Sequence, residues 1–177
     1  MYFKGKLAAV EDEFTERMHA TALHREEVDF DQKVREYRTI EAEFIARAKE
    51  DEADILATKR RIMWWVLASA IDSSQPAEVC REIWDEIKRI GFADMDHRHT
   101  MSNIYARCCQ CTGEFNTGIE VLDPLIKELQ QWLPQAPITP EQRIHWEKKL
   151  EIHKEVVAEL EADMAEPPSS PPPSPSR

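Results

Sequence analysis

The chain has 177 residues, a length that fits one domain or a domain with appendages. Its 42% hydrophobic content is enough for a core, and 32% charged residues with only 4 Gly favour helix over sheet. A formal net charge of −11 argues against non-specific binding to nucleic acid or an anionic membrane, since phosphate-rich partners need surplus Lys and Arg.

The opening stretch, MYFKGKLAAVEDEF, turns acidic before the apolar segment of a secretory signal can form. It is also neither Arg-rich nor acid-poor, as an organellar transit peptide would be. Cys108, Cys109 and Cys111 crowd together, too close on a helix to be good mutual disulfide partners. A reducing, cytoplasmic setting is therefore the expectation. Between Gly5 and Pro76 there is no Gly or Pro to break a helix. A first helix, from Leu7 to about Arg25, carries Val10, Phe14 and Met18 at helical spacing. Asp29 or Asp31 then caps a second, in which Val34, Tyr37, Ile40 and Phe44 form a narrow stripe among charges. Such a stripe suits a helix with one neighbour or a coiled-coil partner. It should meet either the last helix or a second copy of the chain, so a homo-oligomer through the N-terminal helices is one expectation. At KEDEAD, residues 49–54, the helix either runs on as a solvated rod or breaks, with Asp51 or Asp54 as a new N-cap.

Residues 60–71, RRIMWWVLASAI, are the most apolar run and predict the central helix. Trp64 and Trp65 point about 100° apart on a helix, so burying both requires cover on more than one side. The apolar part is far shorter than the roughly 20 residues that span a bilayer. Ser74 is expected to cap the next helix, with Pro76 in its first turn and Val79, Ile83, Ile87 and Ile90 on its apolar face. Gly91 stops it. After a polar link, ADMDHRH, Thr100 is expected to cap a helix bearing Met101, Ile104, Tyr105 and Cys108, which ends at Thr112-Gly113. Ile119, Leu122, Ile126, Leu129 and Leu133 mark another, with a kink or restart predicted at Pro124. Thr139 caps the last helix, with Pro140 in its first position. Trp146, Leu150, His153, Val157, Leu160 and Met164 follow as a heptad-like stripe. PPSSPPPSPSR predicts a disordered, polyproline-leaning tail.

The fold class expected is all-α, as antiparallel helical hairpins flanked by long charged helices. The divisions are 1–53, charged N-terminal helices; 54–133, a hairpin core; 134–166, a C-terminal amphipathic helix; and 167–177, the tail. An offset of 39 residues, Ile62 onto Met101, repeats the pattern. Val66 then falls on Tyr105, Ser73-Ser74 on Thr112-Gly113, Ile83 on Leu122, Ile87 on Ile126 and Ile90 on Leu129; Gly118, facing Val79, breaks the match.

In the second unit Tyr105, Ala106, Gly113-Glu114-Phe115, Gly118 and Leu122 resemble a tetratricopeptide repeat over roughly 35 residues. The pentatricopeptide family is similar at this level. The unit departs from the pattern at Ser102, where an aromatic is usual, at Pro124, and in lacking a closing Pro. The resemblance implies a scaffold that binds a protein or peptide partner in a groove lined by the first helix of each hairpin. It assigns Arg61, Asn103 and Arg107 to that groove: Asn103 to hydrogen-bond a peptide backbone, Arg107 to pair with a carboxylate.

The expected function is therefore a non-enzymatic interaction scaffold without a cofactor. One alternative is a metal-dependent all-α hydrolase using acidic helix faces, for which Glu13, Glu16 and Glu52 can be fitted. That chemistry needs facing carboxylates and a basic phosphate clamp, and a solvated charged face explains the same residues with fewer assumptions. Another is an RNA-binding helical repeat, against which the acidity argues. His97 and His99 precede the cysteine cluster, but the spacing matches no zinc motif, so structural thiols are expected. His153, on an apolar stripe, reads as a core or interface histidine, with a pH-sensitive contact as the functional alternative. Pro172, Pro175 and Arg177 resemble an SH3 ligand of the Pro-first type, against a plain disordered end. Ser170-Pro171 and Ser174-Pro175 fit proline-directed phosphorylation.

Overall fold

The computed structural model describes residues 13, 15–18, 29–47 and 51–165. These form an all-α fold: α1 (Phe30–Arg47), α2 (Glu52–Asp72), α3 (Ala77–Ile90), α4 (Met95–Thr112), α5 (Phe115–Trp132), a 3-10 turn (Leu133–Gln135) and α6 (Pro140–Ala165). Residues 15–18 are also helical, and no strand occurs among the described residues. No described helix is long and apolar enough to cross a membrane.

Side-chain caps set several boundaries. Asp29 accepts from the amide of Gln32 at 2.7 Å and starts α1. Asp51 accepts from Ala53 and Asp54 at 3.0 and 3.3 Å, so the acidic run breaks the helix. Thr139 and Gln142 exchange hydrogen bonds at 2.9 and 3.3 Å, a capping box that opens α6 at Pro140. Gly113 ends α4 at φ +77°, a left-handed conformation that costs glycine little.

Three expectations are corrected. Ser74 does not cap α3: Pro76 holds the N-cap position, and Ser74, at φ +49°, lies in the turn that closes α2. Thr100 does not cap α4 either. Asp94 does, accepting from the His97 amide at 2.8 Å, so DHRH belongs to the helix, and the Thr100 hydroxyl donates to Asp96 O. Pro124 neither restarts nor interrupts α5, because Leu122 and Leu125 on either side of it are buried and hold the helix through the missing hydrogen bond.

α1 is part of the core. Tyr37, Ile40 and Phe44 are buried within a single chain, and α1 packs on α2 rather than on the last helix. The Tyr37 hydroxyl lies 3.1 Å from Ser69 Oγ, both buried, and its ring lies 6.5 Å from that of Trp65. Arg38 reaches past Met63 to Glu86 of α3 at 2.7 Å. On α2, Ile62, Met63, Val66, Leu67 and Ala70 are buried. Trp65 is half-buried, but Trp64 is 36% exposed, so α2 is not covered on the side that Trp64 faces.

The two hairpins, α2–α3 and α4–α5, carry burial in the same register. Ile62 and Met101 are buried, as are Val66 and Tyr105, Leu67 and Ala106, and Ile83 and Leu122. Trp84 of α3 stacks on Tyr105 of α4 at 4.7 Å and 5°, joining the hairpins. Arg60 Nε donates to Gly91 O at 2.8 Å and ties the end of α3 to α2. A second cluster, Ala106, Leu122, Leu125, Val156 and Leu160, seats α6 against α4 and α5. Gly118 allows that approach: a Cβ there would lie 2.9 Å from Leu160 Cδ1 and 3.2 Å from Cys109 Cβ.

Candidate functional site

Two surfaces collect the candidate residues. The first is the seam between α4 and α6. His99, Ser102, Ala106 and Cys109 recur at helical spacing along one buried side of α4, beside more polar residues such as Asn103 and Arg107. At the amino-terminal end of the seam, Asp96 accepts from His145 at 2.7 Å and pairs with Lys149, whose ammonium also donates to Thr100 Oγ1 at 2.9 Å. At the other end Arg107 pairs with Glu159, and Gln110 donates to Asp163 at 2.7 Å.

Between them lies a histidine couple. His99 and His153 are 0% and 1% exposed, and their rings lie edge to edge, with centroids 5.2 Å apart and planes at 17°. His99 Nδ1 and His153 Nε2 are 3.0 Å apart, and Asn103 Nδ2 lies 3.3 Å from His153 Nδ1. With Asn103 Nδ2 as the group facing His153, the tautomers are assigned from it. Asn103 donates to His153 Nδ1, so His153 carries its proton on Nε2 and donates it to His99 Nδ1. His99 then holds its proton on Nε2, which is buried without a hydrogen-bond partner. The Trp146 ring meets His99 edge-on at 5.5 Å. Burial, reinforced for His99 by the charge of Arg98, lowers both imidazoles from 6.5 to about 4. Burial of Asp96 acts to raise its carboxyl, but Lys149 and His145 outweigh it and leave Asp96 below the usual value.

The second surface is the outer side of α2. Asp54, Ala57, Arg61 and Trp64 follow one another at helical spacing and all are exposed. Trp64 meets the Trp65 ring edge-on at 4.8 Å.

The structure brings Asn103 and Arg107 together on α4, but both are engaged by α6. Arg61 lies apart from them on α2, beside Trp64. Sequence reasoning missed the exposure of Trp64 and the burial of His99. The alternation of Arg61 with apolar neighbours hinted at the first; no local pattern signals the second. Pro172, Pro175, Arg177 and the two Ser-Pro pairs lie outside the described residues.

The thiols are built into the core. Cys80, Cys108 and Cys109 are buried and Cys111 is exposed; all four are free. Cys108 donates to Leu67 O at 3.9 Å and Cys80 to Gln75 O at 3.8 Å. Contact with Cys80, then burial, pushes the Cys108 thiol far up, and burial pushes Cys109 up to about 11. His97 Nδ1 accepts from the Ala93 amide at 3.1 Å. Among the described residues no three His, Cys, Asp or Glu side chains converge on a point where a metal could sit. Of the carboxylates fitted to a hydrolase, Glu13 is paired with Arg47 at 2.8 Å, while Glu16 and Glu52 are exposed. An open depression of about 500 Å³ lies on α5, lined by Pro124, Lys127, Glu128, Gln131, Trp132 and Gln135.

No protein-family model, no curated protein and no solved structure matches the chain.

Proposed function

We propose that the protein is a non-enzymatic interaction scaffold whose working surface is the outer side of α2. The observation that carries this reading is Trp64. It is a large aromatic residue, 36% exposed, on the helix whose other sides form the core. An exposed tryptophan on a rigid element makes a recognition anchor, since the indole supplies apolar area, and Arg61 lies one turn before it. The fitting partner is a protein segment that presents an apolar side chain to the indole. Asn103 and Arg107 form a second polar face, which α6 occupies.

The test is affinity capture with the intact chain, then binding of the recovered partner to Arg61→Ala/Trp64→Ala and to Asn103→Ala/Arg107→Ala. The first pair should lose at least tenfold in affinity with its helical circular dichroism unchanged, since truncated hot spots each cost about 2 kcal/mol. Full affinity in the first pair, with loss in the second, would move the site to the seam. Full affinity in both would overturn the reading.

A further inference from the structure

The α4–α6 seam has no place for an added proton at its centre. In the chain Asn103 N–H to His153 to His99, each imidazole already uses its one lone pair to accept a hydrogen bond. A proton on His99 Nδ1 would point at the Nε2–H of His153, and a proton on His153 Nδ1 would point at the Asn103 Nδ2–H as the amide stands, so that only a turned amide presenting Oδ1 would accept it. Either event breaks a hydrogen bond and leaves a charge in a site closed to water, where the Nε2–H of His99 is already without a partner. The couple also bridges two helices that are not consecutive, through histidines 54 positions apart.

We propose that the C-terminal helix α6 is an acid-released cover: protonation of the His99–His153 couple detaches it from α4 and uncovers the Asn103–Arg107 face.

The charged groups around the couple come from three helices. Asp96 and Arg98 lie on α4, Glu128 on α5, and Lys149 on α6. Arg98 is paired with Glu128 and Lys149 with Asp96, so each carboxylate that would welcome an imidazolium already has a cation. Lys149 and His145 hold the Asp96 carboxyl below its usual value, so the loss of the seam begins at the histidine couple and not at this pair. The sign follows from the depressed values. The neutral couple stabilises the closed seam fully above pH 6.5, and that contribution is lost as pH falls from 6.5 toward about 4. Release requires no partner, so this inference stands apart from the function proposed above.

The experiment is amide hydrogen exchange of the intact chain, read by mass spectrometry and corrected for the intrinsic rate, above pH 6.5 and at steps below it. The opening equilibrium of α6 should rise by up to about tenfold per pH unit for each histidine, while α1 and α2 keep their protection. Constant protection of α6, or equal loss in α1, α2 and α6, would overturn the proposal. Asn103→Asp is the second arm. Its carboxylate would accept a proton-bearing His153 Nδ1, so α6 should stay protected to lower pH; a profile identical to that of the unaltered chain would overturn it. His99→Phe/His153→Leu should flatten the profile while keeping an apolar contact, and a retained pH dependence there would assign the release to other groups.

Discussion

Gly118→Ala sets two physical effects against each other with a measurable winner. Gly118 is inside α5, where replacing Gly by Ala on an open helix surface would stabilise by about 1 kcal/mol. Here the new methyl would lie 2.9 Å from Leu160 Cδ1, 3.2 Å from Cys109 Cβ and 3.4 Å from Ala106 O. Leu160 is fully buried and has little room to turn, and the Cys109 Cβ moves only with the backbone of α4. Overpacking of this kind costs about 1–3 kcal/mol, so a net loss of about 1 kcal/mol is expected. The cause can be isolated with a double-mutant cycle. Leu160→Ala alone should cost about 2–5 kcal/mol through lost burial and a cavity. In that background the main clash is gone, and Gly118→Ala should become neutral or stabilising, a coupling of at least about 1 kcal/mol between the two sites. Urea unfolding followed by helical circular dichroism measures all four corners. If Gly118→Ala stabilises the unaltered chain by about 1 kcal/mol, propensity has won and the close approach of α6 is not as described.

Two further predictions follow from the core. Under native conditions a thiol reagent should label Cys111 quickly, whereas Cys80, Cys108 and Cys109 should react only as the chain opens; labelling of all four at one rate would show that the α3–α4 contact is loose. Tyr37→Phe removes the partner of a buried Ser69 hydroxyl and should cost about 1 kcal/mol in thermal or urea unfolding, with no change in mass by light scattering. A dissociating oligomer in that variant would mean that α1 binds a second chain as well as α2.

The parts of the fold legible from sequence are those with local causes. Asp51, Gly113 and the Thr139–Gln142 box act within one turn of themselves, so their types announce their roles. The apolar phase shared by Ile62 and Met101, or Ile83 and Leu122, likewise survives as a pattern. Misreadings arose where a buried face is not apolar. The side of α4 against α6 carries His99, Asn103, Arg107 and Gln110 beside Ala106, so its first two turns read as a polar link. The two tryptophans show the complementary difficulty: neighbours of equal hydrophobicity differ in exposure because α1 covers only one of them. Asn103 and Arg107 were readable as polar residues on one face, but not that Glu159 and His153, some fifty positions on, would meet them there. Such pairings depend on how helices return across the bundle, which no window of sequence contains.

The order in which the helices touch also bears on how the chain reaches this state. Among the described residues α1 packs mainly on α2, with Arg38 reaching Glu86 of α3 and Glu43 and Arg47 paired with Arg17 and Glu13 ahead of it, and α6 reaches back no further than α4. His99 and His153 are 54 positions apart, and the described helices meet only neighbours in the chain order or the next but one. Folding dominated by such near-sequence meetings has little loop-closure entropy to overcome before contacts reward it, and it runs fast. It also needs no single nucleus: α1–α2 and α4–α5 can each form first and recruit the helix beside them. The same layout leaves α6 the weakest point in time as well as in space. A nascent chain can complete the hairpin core before α6 has been made, and α6 then adds as the final, most readily reversed step.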